Sequence, residues 1–270
     1  MVKKLIKLIK LDFKRAIINK QFFIVLMLGI LLTIAHMHIK SFPQFNLYGS
    51  ASGYYNPFTC WISNGGFDAY STIFFMTLPI LVTIPYADSY WIDKHSGFAK
   101  IIYTKSRKIE YVISKYITNF IVGGLVIIIP LIFNLYILFM MMPAIKPSIF
   151  SNFELAKNMF SNLYYFHPYM YLLIYLFMSF VFGGVYASIG LAVSTFCKNK
   201  FLVTAIPTIM YILMFAFELV GFNQLVPAKF LMASQIEIGI NIISICIVFI
   251  ILFVGSIVTY IIGVKNDEII

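Results

Sequence analysis

Residues 86–115 read YADSYWIDKHSGFAKIIYTKSRKIEYVISK and join two strongly apolar runs. The stretch holds the cations Lys94, Lys100, Lys105, Arg107, Lys108 and Lys115 and the acids Asp88, Asp93 and Glu110, in a chain that otherwise avoids charge. Of 270 residues, 61% are hydrophobic and 11% are charged, where a soluble domain carries roughly 45–50% apolar and roughly 25% charged residues. This is the composition of a membrane protein. The charge lies in the connections between apolar runs, so the net charge of +10 describes loops and not a nucleic-acid groove.

A hydrocarbon core about 30 Å thick needs about 20 helical residues to cross it. Six segments reach that length: approximately Phe22–Ile39, Ser71–Tyr90, Tyr111–Met142, Tyr169–Phe196, Phe201–Val220 and Ile238–Val264. Backbone polar groups in lipid must be satisfied within the segment, so each is expected to be a helix. The expected fold is an all-α integral membrane protein with an interfacial head at 1–21, a six-span domain at 22–264 and a short tail at 265–270. Ala35-His36-Met37-His38 lacks the small residues of a cleavage site, which makes the first run a retained span and not a signal peptide.

Six crossings place both termini on one side. Sixteen of the 20 Lys and Arg fall on that side, in the head, in the 86–115 loop, at Lys198 and Lys200, and at Lys265; Lys40, Lys146, Lys157 and Lys229 fall opposite. The positive-inside rule makes the first side cytoplasmic. The first outer connection, 40–70, is rich in aromatic residues such as Phe42, Phe58 and Trp61, which suit a headgroup interface. The last, 221–237, has apolar pieces too short to cross and is expected to be re-entrant or surface-lying, and buried against protein if it dips inward.

In the head, MVKKLIKLIKLDFKRAIINK, a helical projection gathers Lys3, Lys7, Lys10 and Lys14 on one arc, with Leu5, Leu8, Ile9 and Ala16 broadly opposite. That is an interfacial helix with its lysines among anionic headgroups. Asp12 lands on the apolar side and needs a partner, either near Arg15 and Ala16 or on another protein. In the charged loop, Phe98, Ile101 and Ile102 recur at i, i+3 and i+4, one face of a short helix. Ser106 is the expected N-cap of the helix entering the third span, with Glu110 in its first turn.

Ala87-Asp88-Ser89, the acid Asp93 a few positions on, Gly97, the basic run Lys105–Lys108, then Tyr111 and Lys115 together resemble the membrane subunit of ABC-2 type transporters. The basic head and the six-span layout resemble that family over nearly the whole chain, although Asp93 stands where a glutamate is commoner. The resemblance implies that the loop is a coupling helix docking on a separate ATP-binding subunit, with Asp88, Asp93, Lys94, Gly97, Phe98, Ile101, Ile102, Arg107 and Lys108 at the contact. It also implies a second permease copy or a paralogue as partner, a bacterial plasma-membrane location, and ATP and Mg bound by the partner subunit.

No GxxxxGK[ST] loop occurs in the chain, so hydrolysis would belong to the other polypeptide and this chain is not expected to be an enzyme. No cofactor is expected on it. Three cysteines give no disulfide framework, and His36 and His38 lie on different helical faces. Charges within the spans stay near their ends, at Asp88 and Glu218, which argues against a proton-coupled carrier. Gly183, Gly184 and Ala187 give the fourth span a small-residue face for packing within the chain or against a second copy, and with Glu218 they are the candidates for a substrate path or helix packing. The expected substrate is amphipathic or hydrophobic, such as a peptide, in export or in resistance to antimicrobial peptides. A non-transporting membrane sensor with an acidic cytoplasmic partner, or a membrane-embedded enzyme, is the alternative.

Overall fold

A computed structural model describes residues 2–43, 55–64, 68–147, 159–234 and 239–266. Among them no strand occurs, and five helices are long and apolar enough to cross a membrane. The head is α1 (Val2–Ile18). Asn19 then breaks the chain: its side chain accepts from Gln21 N and its amide donates to Pro85 O at 2.9 Å. Helix α2 (Lys20–His36) follows and ends in a π-turn over Met37–Ser41.

The expected second span is not a single helix. It comprises α3 (Ala69–Met76), α4 (Leu78–Thr83), a turn, and then α5 (Ser89–His95). Proline is the reason. Pro79 has no N–H to offer the carbonyl of Phe75, four residues earlier, and Pro85 likewise offers none to Leu81. The phenol of Tyr211 donates instead to Phe75 O at 2.8 Å, and both residues are buried. The α3–α4 run lies between two ion pairs. At one end Asp68 caps α3 and lies 3.4 Å from Lys40 beyond α2; at the other Asp88 lies 3.9 Å from Lys200.

Beyond Gly97 come α6 (Phe98–Lys105) and α7 (Lys108–Met141). The 34 residues of α7 rise about 50 Å at 1.5 Å per residue, well beyond a hydrocarbon core of about 30 Å. Its first turns carry the polar residues Glu110, Ser114 and Lys115, all buried against protein. The N-cap is Arg107 and not Ser106: Glu110 Oε2 accepts from Arg107 N at 3.3 Å. After α8 (Ser161–Phe166) come α9 (Pro168–Ser194), α10 (Phe201–Leu213), α11 (Ala216–Leu219), α12 (Pro227–Leu231) and α13 (Ile242–Lys265). The span expected at 201–220 is α10 continued by α11, and that expected at 238–264 is α13.

Helices α7 and α9 form the centre, with α2, α4, α10 and α13 packed around them. They cross where both present small residues. A Cβ on Gly123 would stand 2.4 Å from Ala187 Cβ and 3.0 Å from Gly183 O; one on Gly184 would meet the Phe120 ring at 2.8 Å. Gly183, Gly184 and Ala187 thus pack within the chain, and so close an approach is what small residues permit.

The described parts of the connections expected at 40–70 and 221–237 pack in part against the bundle. Phe58 and Trp61 are buried in protein and do not stand at a surface, which corrects the expectation of an interfacial aromatic loop for this part of it. Ile62 N donates to Asn134 Oδ1, and Ala233 N donates to Ser63 O at 2.7 Å. Phe45, Tyr48, Tyr54 and Phe67 lie outside the described residues. The 221–234 segment turns inward: Val226, Phe230, Leu231 and Ala233 are fully buried, and Tyr171 donates to Ala233 O. Glu218 is exposed and pairs with Lys229 at 2.8 Å. Residues 267–270 of the tail lie outside the described residues.

Candidate functional site

Helix α1 lies along the charged start of α7, with Lys3, Lys7, Lys10 and Lys14 exposed and Asp12 and Ala16 buried. Asp12, Arg15 and Ala16 sit at i, i+3 and i+4, and on α7 Tyr111, Ser114 and Lys115 repeat that spacing, so two short polar faces meet. The acid that broke the amphipathic pattern of the head finds its partners there. Ser114 Oγ donates to Asp12 Oδ2 at 2.8 Å, and the Tyr86 phenol donates to Oδ1 at 2.8 Å. Lys115 Nζ lies 3.4 Å from the same Oδ1.

Asp93, on α5, completes the cluster. Arg15 reaches it with two guanidinium nitrogens, at 2.6 and 3.2 Å. Lys115 Nζ lies 2.7 Å from Oδ2, and the Tyr111 phenol donates to the same oxygen at 2.8 Å. Lys115 also donates to the Tyr86 hydroxyl at 3.0 Å. Two carboxylates and two cations thus neutralise one another where neither Asp93 nor Lys115 is exposed. Bidentate, charge-assisted bonds of this kind offset the cost of removing ions from water. Burial works against the ionised form of Asp93, but the hydrogen bond from Arg15 and the charges of Lys115 and Arg15 outweigh it and hold the carboxyl below the usual carboxylate range. Arg15 is pushed above its ordinary value: its desolvation is outweighed by the bond to Asp93 and by the neighbouring acids.

Three chain segments are tied together by this cluster: the head, the α5–α6 loop and the beginning of α7. An apolar layer extends the joint. Tyr90, Ile102 and Tyr111 pack with Leu191, Ala192, Tyr260 and Val264, the ends of α9 and α13. The Arg15 guanidinium lies 4.6 Å above the Phe98 ring, a cation–π contact. Gly97, at φ +73°, makes the turn between α5 and α6, a left-handed conformation that costs other residues about 1–2 kcal/mol.

The residues expected at a partner contact therefore separate. Asp93 points into the protein, Ile102 is buried, and Phe98 is partly buried beneath Arg15. Of the three apolar residues expected on one face of α6, only Ile101 is exposed, at 57%. It shares the outward face with Lys100, Thr104 and Lys105, all exposed. Asp88 is buried 3.9 Å from Lys200, Lys94 is partly buried, Arg107 is exposed and Lys108 is partly exposed. Tyr86 and Ser114 were not among the expected site residues. Their signal was the solitary Asp12 on an apolar face, which called for hydroxyl and cationic partners without naming them.

Among the described residues no group of three or more His, Cys, Asp or Glu is placed to hold a metal ion. Comparison with protein-family models, with curated proteins and with solved structures finds no match to this chain.

Proposed function

We propose that this chain is the membrane-spanning subunit of an ATP-driven transporter of the ABC-2 type, with both termini and the α5–α6 loop in the cytoplasm. The carrying observation is the cluster of buried Asp12, Asp93 and Lys115 with the partly exposed Arg15, which clamps an interfacial helix and a loop helix to the base of the long central helix. A push on the loop would move the head and α7 as one block, because sliding any member would strand a buried charge. In this reading the α3–α4 run is the sixth crossing, supported by its course between the Asp68 and Asp88 ion pairs.

The outward face of α6, with Lys100, Ile101 and Thr104 and the neighbouring Arg107, is the surface offered to a nucleotide-binding subunit. That subunit binds ATP and Mg, and a second permease copy or a paralogue completes the transporter. The substrate is amphipathic or hydrophobic, such as a peptide, in keeping with the near absence of charge at mid-span. Co-purification with candidate ATPases tests the assignment. Ile101→Asp combined with Arg107→Glu should abolish assembly and stimulation of hydrolysis while leaving thermal stability intact; unchanged assembly would remove the coupling role.

A further inference from the structure

At the charged end of the bundle, a cleft of about 430 Å³ opens between the first turns of α1 and the link from α6 to α7. Lys4 approaches from α1, and Lys105, Arg107 and Lys108 approach from the link. The described residues lining it include no acid. The two elements meet directly: Lys4 Nζ donates to Lys105 O at 3.4 Å, across 101 positions of sequence. Glu110, the acid in the first turn of α7, is buried and accepts from Arg107 N, and among the described residues that line the cleft none is a carboxylate.

We propose that this cleft is a site for a phosphate group. Four cations brought together from two elements would repel one another, and a multiply charged anion between them relieves that repulsion. The cleft also lies at the start of a 34-residue helix, whose aligned peptide dipoles add to the attraction for an anion. Lysine and arginine around a helix start match a phosphate in charge and in hydrogen-bonding capacity. Two sources share this chemistry: the headgroup of an anionic lipid, available because α1 is an interfacial helix, and a soluble phosphate. Neither source requires an ATPase partner.

Calorimetric titration of the full chain in neutral detergent decides between the sources, with dihexanoyl phosphatidic acid, inorganic phosphate and dihexanoyl phosphatidylcholine as probes. Saturable one-to-one binding of the phosphatidic acid, weak binding of the choline lipid and no competition by inorganic phosphate support a lipid headgroup. Equal binding and competition by inorganic phosphate support a soluble phosphate. Lys4→Gln/Lys105→Gln should weaken either by about fivefold for each cation removed. Lys3→Gln/Lys7→Gln, which removes the same charge from exposed positions outside the cleft, should leave affinity nearly unchanged. Absence of saturable binding to the unaltered protein, or equal losses in the two variants, would overturn the site.

Discussion

Lys115 Nζ and Asp93 Oδ2 stand 2.7 Å apart, and neither side chain is exposed. A pair so placed is more costly to break on one side than to remove from both. Lys115→Met should therefore destabilise the protein by roughly 3–5 kcal/mol, because it leaves Arg15 as the one cation of the cluster beside two carboxylates. Lys115→Met/Asp12→Asn should lose less than the sum of the two single variants. Thermal unfolding of the purified protein checks this, and strict additivity would show that the charges do not act as a cluster.

The same pair sets an acid limit. The Asp93 carboxyl is held below its unfolded value of about 3.9, so its stabilising contribution is complete above about pH 5 and is lost as pH falls through the depressed folded value. Melting curves between neutral and strongly acidic pH should show that loss in the unaltered protein. The acid-dependent part of the curve should shrink in Asp93→Asn, which is weaker at every pH.

Position on α6 decides the effect of a charge. Ile102→Asp places a carboxylate among Tyr90, Tyr111 and Tyr260 and should destabilise by several kcal/mol, an order of magnitude set by unpaired burial. Ile101→Asp, one residue earlier and exposed, should change stability by less than about 0.5 kcal/mol. Unfolding of the two variants side by side measures the difference.

At the crossing of α7 and α9, a methyl group on Gly123 meets Ala187 Cβ at 2.4 Å. Gly123→Ala should cost about 1–3 kcal/mol through overpacking. Adding Ala187→Gly should recover part of the loss, with the Gly183 carbonyl at 3.0 Å limiting the recovery. Cysteine pairs spanning the crossing, scored by cross-linking, report whether the helices separate.

Tyr211 replaces the hydrogen bond that Pro79 denies to Phe75 O. Tyr211→Phe should lower stability by about 1 kcal/mol, the scale of such bonds in membrane proteins. Tyr211→Phe/Pro79→Ala should return most of it, because alanine restores a backbone donor to the same carbonyl.

Legibility in the sequence followed the range of the interaction involved. Five apolar runs were readable as helices because hydropathy and length act within a segment, and the exposed lysine arc of α1 follows from a local period of 3.6 residues. The Ser71–Tyr90 run had enough apolar residues to be expected as a single span. Pro79 breaks it by a local rule, whereas the donor that repairs the break, Tyr211, stands 136 positions from Phe75 and is out of reach of any local pattern. On α6, spacing grouped Phe98 with Ile101 and Ile102; docking on the tyrosine layer then turned Ile102 inward and left Ile101 outside.

From its amino-acid sequence alone, this protein had to be helical and apolar, with a basic head and a charged loop, because those properties come from each residue and its near neighbours. Only the tertiary structure brought Asp12, Arg15, Asp93 and Lys115 into one cluster. Helical periodicity assigns a side chain to a face and leaves open what that face meets. Charges 78 and 103 positions apart find each other only after the helices between them have packed.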